Sequence, residues 1–81
     1  MDKEQREQHA KDILDNPLFR EAFEEVKNQV VSEWVHSELN DIEKRESLHL
    51  SIKLLDRLYA HVESVLETGQ MDRMIKNHPF I

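Results

Sequence analysis

The sequence predicts an all-α fold, an antiparallel hairpin of two long helices preceded by a short N-terminal helix and expected to form an oligomeric helical bundle. Glycine occurs once and proline twice in 81 residues, so few positions interrupt helices. Between these positions, apolar residues recur at spacings of three and four. Because only about two to four residues separate the long segments, they are expected to run antiparallel. We expect one domain over residues 1–81, with helices at about 2–15, 17–38 and 41–68 and a tail at 70–81.

The first predicted helix has the weakest apolar pattern. Its apolar patch consists of Ala10, Ile13 and Leu14, near its C-terminal end. Pro17 disfavours a helical conformation at Asn16 and suits the first turn of the next helix. The Asn16 side chain can cap that helix by accepting hydrogen bonds from the amides that follow. The chain is therefore expected to break at Asn16-Pro17.

The second predicted helix has one apolar seam. Stepping about 100° per residue from Phe19 places several apolar residues within about 60° of it. These residues are Ala22, Phe23, Val26, Val30 and Trp34. Trp34 is interpreted as an anchor facing the third helix, with an interface contact as the alternative. The helix is expected to end near Leu39, where Asn40 or Asp41 can cap the next one.

The third predicted helix is the most regular. Its seam alternates spacings of four and three and consists of Leu48, Ile52, Leu55, Tyr59, Val62 and Leu66. Leu54, Leu58 and Val65 widen the apolar face to about 160°. Gly69 suits the left-handed conformation that commonly follows a helix, so the helix is expected to end at Thr68. His78-Pro79 would end any helix in the tail.

The apolar surface exceeds what one hairpin can cover. Three arrangements remain open: a monomeric three-helix bundle with the tail folded back, a homo-oligomer, and a hairpin that docks on a different protein. The homo-oligomer is the leading prediction. Its interface candidates are Val31, Val35, Leu54, Leu58, Val65, Phe80 and Ile81. The last two either dock in a groove of a neighbouring subunit or in a pocket of a partner protein, or belong to a frayed terminus.

Composition argues against several classes of function. The net charge of −6 disfavours nucleic acid and membranes as partners. The lack of cysteine excludes disulfides and thiolate sites, and a single glycine excludes Gly-rich phosphate loops. No apolar stretch approaches the roughly 18–20 residues of a membrane span, and no secretory signal is visible.

Two Glu-x-x-His pairs have the spacing that helical bundles use to bind two metal ions, namely Glu33 with His36 and Glu46 with His49. Ligands in a bundle must project inward, whereas helical spacing places these pairs mostly away from the apolar seams. No histidine has a serine or cysteine partner at a recognisable spacing. We therefore expect no metal, no cofactor, no catalytic residue and no enzymatic activity.

One stretch of the sequence runs from Asp15 to Phe23 (DNPLFREAF) and is followed by Trp34, and another runs from Arg45 to Gln70. Together they resemble short all-helical proteins of tailed bacteriophages and prophages, encoded near portal and coat protein genes. The resemblance implies a virion component or assembly factor in several copies, in the bacterial cytoplasm or the virion, with other phage structural proteins as possible partners. It carries over no activity. The acidic surface leaves an alternative, a small interaction module that binds and inhibits a host protein.

Overall fold

The computed structural model describes residues 1–77, apart from the side chains at positions 73 and 75–77. Three helices follow one another: α1 (Lys3–Asp15), α2 (Pro17–His36) and α3 (Ile42–Asn77). No strand occurs among the described residues. The prediction of an all-helical chain is confirmed.

Side-chain caps place the starts of all three helices. The backbone N–H of Gln5 donates to the Asp2 carboxylate at 2.7 Å, and the Gln5 side chain accepts from the Asp2 N–H at 3.1 Å. Asn16 Oδ1 accepts from the N–H groups of Leu18 and Phe19 at 2.9 and 3.1 Å. Asp41 accepts from the N–H of Lys44 at 3.3 Å before α3. Each cap satisfies amides that the helix itself leaves without a partner. The break at Asn16-Pro17 therefore occurs where the sequence predicts it.

The end of α2 comes two residues before the predicted position 38, because Ser37 leaves the helical conformation. The Ser37 hydroxyl donates to the Trp34 carbonyl at 2.6 Å. The Arg45 guanidinium donates to the carbonyls of Trp34 and Ser37, both at 3.3 Å, and to the Ser37 hydroxyl at 2.8 Å. A cation at these carbonyls also interacts favourably with the helix dipole. Arg45 thus links the end of α2 to the first turns of α3.

The predicted helix end at Thr68-Gly69 is wrong, since α3 continues through Gly69 to Asn77. No described glycine has a positive φ. Gly69 instead permits a close approach of α1: an added Cβ would lie 2.7 Å from Glu7 Cγ and 2.8 Å from Glu7 Cβ. The predicted tail at 70–81 is therefore helical up to Asn77. Phe80 and Ile81 lie outside the described residues.

The two shorter helices contact different parts of α3. Near its start, Arg45 lies over the Trp34 ring of α2, and Lys27 of α2 forms an ion pair with Asp56 at 2.7 Å. Towards its end, α3 contacts α1 through Gly69 and Glu7. The molecule measures 59 × 27 × 20 Å, and the shortest dimension equals about two helix diameters. In these contacts, α2 lies beside the first half of α3 and α1 lies beside its later part.

The interior is thin. Among the side chains that the structure describes, Ala10 and Glu7 are buried, at 4% and 9% exposure, and no large one is fully buried. The Phe19 ring centre lies 6.3 Å from the centres of Phe23 and Tyr59, which are 4.8 Å apart. The predicted seam residues of α3 are half-buried, whereas Val26 in the predicted seam of α2 is 46% exposed. No described helix has the length and apolar character needed to span a membrane.

Candidate interaction surface

Three exposed leucines form a ridge on the outer side of α3. Leu50, Leu54 and Leu58 are 58%, 53% and 59% exposed. They recur every four residues, so they lie along one line on the helix surface. Helical spacing places this line roughly opposite the α3 residues that contact α2. We call these three residues the α3 ridge.

Basic side chains accompany the α3 ridge on one flank. Lys53 and Arg57 follow Leu50 and Leu54 by three residues, which displaces both by about 60° to the same side. Both are exposed, and the described part of the chain gives neither a hydrogen bond nor an ion pair. Asp56 is engaged with Lys27. The α3 ridge is therefore apolar with a positively charged border.

A second ridge runs along α2 with the opposite charge. Leu18 and Val26 are 71% and 46% exposed, and Ala22 between them is also exposed. Glu21 and Glu25 follow Leu18 and Ala22 by three residues. Neither glutamate has an ion pair among the described residues. We call Leu18, Ala22 and Val26 the α2 ridge. The charges three residues after its members are acidic, whereas those three residues after the members of the α3 ridge are basic.

The outer face of α2 is acidic beyond this flank as well. An open surface on α2 is lined by Glu21, Glu24, Glu25 and Glu33, together with Arg20 and polar residues. Four carboxylates and one guanidinium leave this face negatively charged. Such a face favours a basic partner.

The structure separates the predicted interface residues into different environments. Leu54 and Leu58 are exposed on the α3 ridge, and Val35 is exposed near the end of α2. Val31 is half-buried. Val65 is half-buried in a hollow that it lines together with Ala10 and other residues of α1.

Sequence reasoning missed Leu50 and the whole α2 ridge as contact candidates. It placed Ala22 and Val26 in the seam because both fall within about 60° of Phe19. A usable signal was present: each ridge repeats an apolar residue every four positions and carries charges of one sign three positions later. Two matching patterns with opposite signs indicate surfaces that can pair.

The histidine pairs do not converge on a metal site. Among the described residues, no three His, Cys, Asp or Glu side chains lie close enough to hold an ion. His36 Nδ1 is 2.7 Å from the Ser32 carbonyl of its own helix, and the His49 ring lies 6.4 Å from the Trp34 ring. Elsewhere, a hydrogen bond to Asp15 and the attraction of its charge raise the pKa of Lys11 above its ordinary value.

Comparison with known proteins adds no relative to this description. No family model matches the chain, and neither a curated protein nor a solved structure does so.

Proposed function

We propose that this chain is a non-enzymatic, antiparallel helical hairpin with a short N-terminal helix, which self-associates and acts as a virion component or assembly factor of a tailed bacteriophage or prophage. The observation that carries self-association is the exposed α3 ridge, on a chain in which no large side chain that the structure describes is fully buried. Leucines spaced along one line are the usual contact pattern between packed helices.

The accessible area supports a partner. The chain exposes 6887 Å², about 1,800 Å² more than a compact monomer of 9.7 kDa. A standard protein–protein interface buries about 1,600 Å² in total. The radius of gyration is 17.7 Å, against about 12 Å for a compact domain of this length. The chain therefore has enough spare surface for a stable interface with another copy.

The order of the contacts supports the hairpin. Trp34, late in α2, lies beside Arg45, early in α3. Phe23, early in α2, packs against Tyr59, further along α3. From the first pair to the second, the contact moves towards the start of α2 and towards the end of α3, as it does between antiparallel neighbours. The short connection at 37–41 agrees with an antiparallel arrangement.

The phage role rests on the resemblance of the stretches at 15–23 and 45–70. The proposed role implies a location in the bacterial cytoplasm or in the virion, with further copies of the chain and other phage structural proteins as partners. Mass spectrometry of purified particles from the encoding phage tests this role. A virion component is expected there at several copies per particle, whereas an assembly factor is expected in assembly intermediates. Absence from both would contradict the proposal.

The acidic outer face of α2 favours a second candidate, a small module that binds and inhibits a basic host protein. Glu21, Glu24 and Glu25 could occupy a site that otherwise binds a polyanion. An inhibitor is expected early in infection and absent from particles and intermediates. A stoichiometric complex with a host protein, recovered with purified tagged chain and lost when these three glutamates become lysine, would support this candidate.

A further inference from the structure

We infer that the α2 ridge of one copy packs antiparallel against the α3 ridge of a second copy. This inference rests on the proposed self-association and assigns its surfaces and direction. Both ridges are exposed, both consist of three residues four apart, and each extends about 12 Å along its helix. Equal lengths and equal spacing allow the two ridges to interdigitate.

Side-chain size supports one register. Reversing one helix pairs Leu18 with Leu58, Ala22 with Leu54, and Val26 with Leu50. The smallest residue then lies at the centre of the α2 ridge, opposite the central leucine of the α3 ridge. A small residue facing a large one lets two helices approach without a void or a clash.

The flanking charges support the antiparallel direction. Each charged flank lies about 60° to the same side of its own ridge. When two such helices pack ridge against ridge in the antiparallel direction, both flanks lie on the same side of the contact and meet. In the register above, Glu21 lies within about 3 Å along the helix axis of both Lys53 and Arg57. Glu25 also lies within about 3 Å of Lys53 along the helix axis. A parallel pairing would place the acidic and basic flanks on opposite sides of the contact.

The same charges favour packing of α2 of one copy against α3 of the other over packing of α2 against α2 or of α3 against α3. Two α3 ridges packed antiparallel about Leu54 would place Lys53 beside Arg57 of the other copy. Two α2 ridges would place Glu21 beside Glu25 of the other copy. Like charges in contact are unfavourable, whereas the mixed pairing joins opposite charges. In the described chain, no ion pair involves the side chains of Glu21, Glu25, Lys53 and Arg57. Association therefore breaks no existing ion pair of these residues.

Disulfide trapping tests the pairing, because the chain contains no native cysteine. Chains carrying Ala22→Cys and chains carrying Leu54→Cys are refolded together, and also separately, and then oxidised. The mixture is expected to form a cross-link between the two variants, and each variant alone is expected to stay uncross-linked. Glu63→Cys, exposed on α3 away from its ridge, replaces Leu54→Cys in the matched control and is expected to give no cross-link.

The outcomes separate this inference from the proposed function. A monomeric native mass would overturn both. An oligomer in which Leu54→Cys cross-links to itself would establish α3-to-α3 pairing and overturn the inference alone. An oligomer without a cross-link in the mixture would also overturn the inference alone.

A charge exchange tests the flanks independently. The Glu21→Lys/Glu25→Lys and Lys53→Glu/Arg57→Glu double variants are each expected to weaken self-association by about tenfold in Kd or more. An equimolar mixture is expected to regain native-like affinity, since each surface then meets an opposite charge on the other variant. Circular dichroism checks that both variants remain helical. Native-like association of each variant alone, or no recovery in the mixture, would contradict the assigned flanks.

Discussion

Replacing Gly69 with alanine is expected to destabilise the chain, although the same change stabilises an ordinary helix. Glycine inside a helix costs about 1 kcal/mol relative to alanine. At position 69, however, the new Cβ would lie 2.7–2.8 Å from the Cβ and Cγ of Glu7. Glu7 Cβ is tied to the backbone, so α1 itself must shift. Overpacking of this kind costs about 1–3 kcal/mol. We expect a net loss of about 1 kcal/mol.

Urea unfolding followed by circular dichroism, at one fixed protein concentration, measures this change. The matched control compares Glu67→Gly with Glu67→Ala on the exposed surface of α3, where alanine is expected to be more stable by about 1 kcal/mol. In a Glu7→Gly background the clash disappears, so Gly69→Ala is expected to become stabilising. If Gly69→Ala stabilises the native chain as much as the control pair predicts, the close approach of α1 to α3 is refuted.

Two further predictions concern the seam and the connection between α2 and α3. Leu55→Asp places a charge in the half-buried seam and is expected to unfold the chain. Leu58→Asp, on the α3 ridge, is expected to dissociate the oligomer and preserve helicity. Equal effects of the two variants on helical content and native mass would contradict the division between seam and ridge. Arg45→Ala removes the guanidinium that bonds to the Trp34 and Ser37 carbonyls and is expected to cost about 1–3 kcal/mol in urea unfolding, against a smaller loss for the exposed control Lys44→Ala.

Local signals predicted the starts of α2 and α3. Asn16 followed by Pro17 combines a cap with a residue suited to a first turn, and the structure shows both roles. For α3 the sequence allowed Asn40 or Asp41 as the cap, and in the structure Asp41 accepts from the N–H of Lys44. These features depend on a few adjacent residues, so they can be read without knowing the fold.

The end of α3 depended on a contact between distant residues. Glycine suits both a left-handed helix end and a close approach of two helices. Deciding between these roles at Gly69 requires knowing that Glu7 of α1 lies against it. Which apolar residues of α3 stay exposed likewise depends on contacts with residues distant in the sequence. Val65 belongs to the outer apolar face of α3 by spacing, but α1 covers part of that face. Leu54 and Leu58 lie nearer the start of α3 and stay exposed.

The native mass of the chain in solution tests the central claim most directly, because the claim is that another copy covers the exposed ridges. Analytical ultracentrifugation over a range of micromolar concentrations is expected to give a multiple of 9.7 kDa that Leu58→Asp reduces towards the monomer. A native chain that sediments as a monomer throughout that range, with full helical content, would contradict the account.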